Sequence, residues 1–253
     1  MTAEPVCTES VRVEIAEPVG VITVGTGRRR NALTTSGWAR LEQLVKATAQ
    51  TPGVRAVLVR GAGDTFCAGS DMTEWLGAPP DAIERCFAQM ESTFRAIEES
   101  PVPFIAEVRG VAAGAGCQLA LACDLRVIAR SACMGMPIAR LSILPSPAFA
   151  RRLVAAAGPA VARELLYTGR LLDGRAAVAA GLANSAAPDE ELGPHTARLL
   201  ADITRHGTVA IQAAKRAVTA AAGDHTPCAL GPVVSYDDFQ RSVAAFLSGA
   251  GVS

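Results

Sequence analysis

Two short apolar runs, Val54 to Val59 (VRAVLV) and Phe104 to Val108 (FIAEV), each pass into a glycine-bearing loop and then into a helical pattern. Strands that are apolar on both faces and are followed by helices must lie in a sheet covered by those helices, which is an α/β architecture. The flanking sequence agrees. Val11, Val13 and Ile15 alternate, Val19 to Val24 follows after Glu17-Pro18, and the pair reads as a hairpin. Thr34 and Thr35 can cap a helix whose apolar residues are Trp38, Leu41, Val45 and Ala49, ended by Pro52-Gly53. Pro80 opens a longer helix with Ile83, Phe87, Met90, Phe94 and Ile97 on one face, stopped by Pro101 and Pro103.

Beyond these, Cys117 to Leu121 reads as a buried helix and Asp124 to Ile128 as a strand. The remainder reads mainly as helix, with breaks at Gly158-Pro159, Gly169, Gly181 and Pro188. No linker interrupts the pattern, so the expectation is one α/β domain with helices added at its C-terminal end. The chain has 253 residues, enough for a well-buried core of that kind.

Charge narrows the function. Twenty-four basic residues balance 24 acidic ones, which argues against nucleic acid or an anionic membrane as partner. Arg28-Arg29-Arg30 is the local exception. No apolar run reaches membrane-spanning length. Met1 to Ser10 carries Glu4, Pro5 and Glu9 without an apolar core, and a cytoplasmic location is expected. The seven cysteines (7, 67, 86, 117, 123, 133, 228) show no CxxC spacing, and the three histidines (195, 206, 225) lie far from most of them. Reduced, buried thiols are expected, and no metal site.

The loops Phe66-Cys67-Ala68-Gly69-Ser70-Asp71 and Gly110-Val111-Ala112-Ala113-Gly114-Ala115-Gly116 are the candidates for chemistry. Amides at a helix start point outward unpaired with the positive end of the helix dipole behind them, and small side chains let a ligand come close. A single loop of this kind also serves tight packing, so the spacing alone leaves both readings open.

The order RNAL (Arg30 to Leu33), GAGDTFCAGSD (Gly61 to Asp71), GVAAGAG (Gly110 to Gly116) and ALACDLR (Ala120 to Arg126) resembles the enoyl-CoA hydratase/isomerase, or crotonase, family. The likeness continues through GMPIARL (Gly135 to Leu141), LLYTGRLLD (Leu165 to Asp173), GLAN (Gly181 to Asn184) and AAKRA (Ala213 to Ala217). It implies a spiral ββα core over about residues 1–190 and a C-terminal helical trimerisation region over about 191–253. A homotrimer or dimer of trimers follows from the same likeness. The implied ligand or substrate is an acyl-CoA thioester, with no bound cofactor. Its carbonyl would sit between the backbone amides of Ser70 and Ala115. CoA would lie along Arg30, Asn31 and Ala32 and along Ala68, Gly69, Ser70, Asp71 and Met72, with Gly114, Ala115 and Pro137 completing the site. Arg28, Arg29 or Arg30 could pair with its phosphates.

The two glutamates that the family's hydratases use for proton transfer would fall at Gln118 and Ile138, and a further acid position at Ser146. Glutamine can position a water but carries no proton at neutral pH, and isoleucine does neither. Substitutes are few. Asp71 and Glu74 follow the first loop, with Glu74 expected in solvent. Cys117 has nothing nearby in sequence to activate it, Asp124 suits a buried turn, and Tyr167, His195 and His206 read as structural or surface residues. Three functions remain open: an acyl-CoA enzyme using another proton carrier, an acyl-CoA carrier or sensor, and a subunit with a vestigial pocket.

Overall fold

The computed structural model describes residues 10–222. Cys7, His225, Cys228 and the end of the C-terminal region from 223 onward lie outside the described residues. The expected hairpin forms from β1 (Val11–Ala16) and β2 (Val19–Val24), paired antiparallel with Val11 opposite Val24. β3 (Ala56–Gly61), β4 (Phe104–Val108), β6 (Leu125–Ala129) and β9 (Ser185–Ala187) then add in parallel, giving the order β1-β2-β3-β4-β6-β9. β3 starts two residues later than the sequence suggests, because the Val54 N–H still closes the turn onto Thr51 and the Arg55 N–H bonds the Pro18 carbonyl.

A second sheet, β5 (Val111–Ala113), β7 (Cys133–Gly135) and β8 (Leu171–Asp173), is where the sequence suggests only small-residue loop and helix. β5 pairs parallel with β7, and β7 antiparallel with β8. The chain thus alternates between the sheets, β4 then β5 and β6 then β7, and this is the ββα spiral.

Helices close the faces. In α1 (Thr35–Gln50) the Thr34 hydroxyl accepts from the Gly37 N–H at 3.0 Å, a side-chain N-cap. α2 (Pro80–Glu98) carries Pro80 at its first turn, where a missing N–H costs nothing. It buries Met90, Phe94 and Ile97. Trp38 meets Phe94 edge-on, with centroids 5.5 Å apart, and both are fully enclosed. Burial of such side chains stabilises by about 1.5–3 kcal/mol each.

α3 (Ala115–Ala122) is buried along nearly its whole length. α4 (Pro147–Thr168) breaks at Gly158-Pro159 and ends at Gly169, as the sequence indicates. α5 (Gly174–Ala179), α6 (Leu192–Thr204) and α7 (Thr208–Ala222) complete the described helices. The ammonium of Lys215 on α7 donates to the carbonyls of Ile97 and Val102 and to Asp124 Oδ2, at 3.1, 3.1 and 2.9 Å. Asp124 also accepts from the Phe104 N–H at 2.7 Å, so it satisfies a buried turn as expected. No described helix is long and apolar enough to cross a membrane.

Candidate functional site

Residues 66–71 run extended between two other segments. On one side the Cys67 N–H bonds Val111 O at 2.9 Å and the Ala113 N–H bonds Cys67 O at 3.1 Å. On the other, the Ala68 N–H bonds Arg30 O, the Leu33 N–H bonds Gly69 O, and the Asp71 N–H bonds Leu33 O, at 2.9, 2.9 and 2.8 Å. Leu33 and Ser70 form a parallel bridge. In that geometry Leu33 is held by the neighbours of Ser70, and Ser70 turns its own N–H and C=O away.

Gly69 makes this path possible. Its φ is +106°, and a Cβ there would lie 3.0 Å from Ala113 O and 3.2 Å from the Ala115 nitrogen. The same distances put the Gly69–Ser70 turn directly against the start of α3. Ala115 is the first residue of α3, where an N–H has no intrahelical acceptor. Among the described residues, neither the Ser70 nor the Ala115 N–H has a hydrogen-bond acceptor. Gly116 permits the close approach, since a Cβ there would fall 1.9 Å from Cys67 O. Ala115 is not among the residues of positive φ, so its methyl does not restrict the turn.

Both amide-bearing residues border a cavity of about 140 Å³. Ala68, Gly69, Met72, Gly114, Pro137 and Ile138 share its wall, as do Trp75, Phe87, Met90 and Phe149. A second cavity of about 340 Å³ shares Phe87, Met90, Ile143 and Phe149 with the first and reaches Glu91 and Ser146. The Ser70 hydroxyl accepts from the Trp38 indole N–H at 3.0 Å and points its own proton to Met90 Sδ at 2.9 Å. The Trp75 indole N–H is buried without an acceptor among the described residues.

Two expected site residues turn elsewhere. Gln118 is fully buried and is not on the wall of either cavity. Its Nε2 donates to Phe149 O at 3.1 Å and its Oε1 faces Arg152 Nη1 at 3.5 Å, so it is no water-positioning group in the cavity. Asn31 is likewise fully buried: its Nδ2 donates to Ala62 O at 2.9 Å and its Oδ1 accepts from the Gly27 N–H at 2.8 Å. The amide is framework for the left-handed run Arg29–Asn31 and is closed to a ligand.

The sequence reading missed Arg152 altogether. Its side chain is 3% exposed and is clamped by Glu91 at 2.8 and 2.7 Å and by Glu98 at 2.6 and 3.0 Å, 5.1 Å from the Phe94 ring centroid. Burial works against the charged guanidinium, but the hydrogen bonds to Glu91 and Glu98 together outweigh it and hold Arg152 above its ordinary range.

The remaining candidates have plain surroundings. Asp71 accepts from Thr73 and pairs with Arg29 at 2.6 Å, and the Thr73 and Arg29 contacts hold its carboxyl below the usual range. Glu74 is exposed but accepts from the Thr35 N–H and hydroxyl at 2.7 and 3.0 Å, at the start of α1. Arg28 and Arg30 are exposed. Burial pushes the Cys117 thiol up to about 12, so it is no thiolate nucleophile. His195 shares a 3.0 Å hydrogen bond with Ser185, and Tyr167 stands in solvent. Among the described residues no group of three His, Cys, Asp or Glu could hold a metal.

A ββα spiral whose two small-residue turns meet over an apolar cavity is a crotonase fold. The enoyl-CoA hydratase/isomerase family model matches residues 14–231, and the chain belongs to that family. It is 31% identical to the crotonyl-CoA hydratase of Syntrophomonas wolfei over 210 residues, 83% of this chain and 81% of that one. It is 34% identical to the mitochondrial methylglutaconyl-CoA hydratase of Mus musculus over 206 residues, 79% of this chain and 66% of that one. The solved enoyl-CoA hydratase of Bacillus anthracis superposes with a TM-score of 0.81 at 27% identity, over 96% of this chain and 92% of that one.

Proposed function

We propose that this chain binds an acyl-CoA thioester, holds the thioester oxygen between the N–H groups of Ser70 and Ala115, and does not catalyse ordinary hydration. The observation that carries the reading is the pair of amides without acceptors among the described residues, from separate loops, on the wall of one largely apolar cavity. Negative charge collects on a thioester oxygen as an enolate forms, and fixed donors stabilise it, each typically worth about 10²–10³ in rate. The names of the relatives, hydratases of CoA thioesters, support the ligand class. CoA lies along Arg30, Ala32 and Ala68 to Met72, without the buried Asn31, and the exposed Arg28 and Arg30 can meet its phosphates. The assembly is a homotrimer or a dimer of trimers.

Hydration needs proton carriers as well as an oxyanion site. Ile138 supplies an apolar wall, and Gln118 is turned toward Phe149 and Arg152. That engagement of Gln118 favours one second reading, a carrier or sensor of acyl-CoA without turnover.

Calorimetric titration with crotonyl-CoA and a long-chain acyl-CoA, alongside a hydration assay on the same crotonyl-CoA, tests both. Binding without appreciable hydration is expected. Turnover at ordinary hydratase rates would mean that an acid and a base do reach the cavity. Absence of binding by either ester would point to a vestigial pocket.

A further inference from the structure

The six-stranded sheet carries one polar row across its first four strands. Arg12 on β1 pairs in register with Thr23 on β2, Thr23 with Arg60 on β3, and Arg60 with Glu107 on β4. Registered partners point to one face of a sheet, and side chains an odd number of positions apart on one strand point to opposite faces. Gly20 marks the face of β2 that α1 covers, since a Cβ there would collide with the Thr48 side chain. Thr23, three positions on, therefore faces away from α1, and the row with it. The four side chains, joined by Arg109 just beyond β4, line a cavity of about 270 Å³. None of the residues given to CoA above is on its wall.

These groups are not spent on one another. Arg60 and Glu107 stand opposite each other in register, yet among the described residues neither forms an ion pair or a side-chain hydrogen bond. Arg12 has one long contact, 3.8 Å from Nε to Glu14, with both side chains well exposed, and such a pair is worth little. Arg109 gives one nitrogen to Asp189 O at 3.0 Å, while the Asp189 carboxylate is taken by Ser131. Thr23 is 2% exposed, and its hydroxyl has no hydrogen-bond partner among the described residues. A buried hydroxyl in that state carries a desolvation cost that a ligand oxygen removes. Three guanidiniums against one carboxylate leave the cavity two positive charges in excess.

We propose that this cavity is a phosphate-binding site, separate from the acyl-CoA site, in which Arg12, Arg60 and Arg109 hold the anionic oxygens, Thr23 donates its hydroxyl, and Glu107 accepts an O–H of the ligand. Guanidinium forks match phosphate oxygens, and Arg12 and Arg60 flank Thr23 at two strand spacings, about 10 Å apart along the sheet. Glu107 sets the identity of the anion. An ionised carboxylate only accepts, so it welcomes a ligand that brings a proton donor and repels one that does not. Hydrogenphosphate has two negative charges for the arginines and one P–OH for Glu107. Sulfate has the same charge and shape but no proton, and would meet Glu107 charge to charge. The cavity is larger than a bare ion, so the phosphoryl group of a small sugar phosphate, with a sugar hydroxyl on Glu107, is the other source of the same chemistry.

The test is calorimetric titration of the full chain with inorganic phosphate, ribose 5-phosphate and sulfate at fixed chloride and about pH 8, where the phosphoryl groups are dianions. The wild type is expected to bind inorganic phosphate or ribose 5-phosphate at least about 10-fold more tightly than sulfate, the scale of one hydrogen bond to a charged group. The tighter of the two names the source. Arg60→Gln should weaken that ligand by about 10-fold or more, and Thr23→Val, which keeps the shape of the side chain, by about 3- to 10-fold. Glu107→Gln should bring sulfate to within about threefold of phosphate, because the amide donates where the carboxylate repelled. Equal and weak binding of all three anions overturns the proposal, and so does a phosphate affinity that Arg60→Gln and Glu107→Gln leave unchanged. Displacement of phosphate by equimolar CoA also overturns it, since the cavity would then be part of the CoA site. Should Arg60→Gln fail to fold, Thr23→Val and the loss of anion selectivity in Glu107→Gln still decide. Acyl-CoA binding is read in a separate titration, so neither reading stands or falls with the other.

Discussion

Arg152→Met is expected to lower the unfolding free energy by about 2–4 kcal/mol. The guanidinium is buried, while the side chains of Glu91 and Glu98 keep 25% and 29% of their exposure. Removing one partner of a fully buried ion pair typically costs about 3–5 kcal/mol, because the remaining charge is stranded. Water can reach both carboxylates here, so the loss falls below the top of that range. The same change frees Gln118 Oε1 and removes the cation beside Phe94. Urea unfolding should show a lower midpoint at an unchanged slope, since the surface exposed on unfolding is nearly the same. Adding Glu91→Gln and Glu98→Gln to the variant should recover part of the loss, as the stranded charges are gone. A loss under about 1 kcal/mol would mean that the cluster behaves as a solvated surface pair.

The second large effect concerns proton transfer. Ile138→Glu is expected to raise crotonyl-CoA hydration by about 10², the lower end of what a positioned acid or base supplies. Ile138 borders the same cavity as Ser70 and Ala115, so a carboxylate there would face an acyl group held at those amides. Gln118→Glu alone is expected to give no gain. A carboxylate in place of the amide would present an oxygen to the Phe149 carbonyl, which accepts from Nε2 in the wild type, and would be drawn to Arg152 as a third carboxylate. Progress curves of the three proteins on crotonyl-CoA at equal concentration decide the matter. A hydration gain from Gln118→Glu by itself would show that residue 118 reaches the substrate after all.

Those two residues also show where the sequence stops being readable. The hairpin, the Thr34 cap and the Pro80 helix start rest on neighbours within a few positions, and the structure has each of them. β5, β7, β8 and β9 have three residues each, too few for an alternation to register. They exist because partners far along the chain supply their hydrogen bonds, as Arg130 does when its N–H bonds Ala187 O beside β9. Of the residues facing the cavity, Ala68, Gly69, Ser70, Met72, Gly114, Ala115, Pro137 and Ile138 were named through the family resemblance, since small-residue loops alone fit tight packing equally well. Trp75, Phe87, Met90 and Phe149 were not foreseen as wall residues. The engagement of Gln118 was not foreseen either, since the arginine opposite its amide lies 34 positions away. The buried state of Asn31 was equally hidden: only the three successive left-handed residues, with φ of 48°, 53° and 58°, reveal how much that turn needs an anchor.

The most direct measurement of the central claim is the carbonyl stretch of crotonyl-CoA labelled with ¹³C at the thioester carbon, recorded by isotope-edited infrared difference spectroscopy on the bound complex. Two N–H donors on one oxygen weaken the C=O bond, so the labelled band should move to lower frequency than in free ester and sharpen into a single environment. A bound ester whose band stays at the solution frequency would contradict the account, because the amides of Ser70 and Ala115 would then not be holding that oxygen.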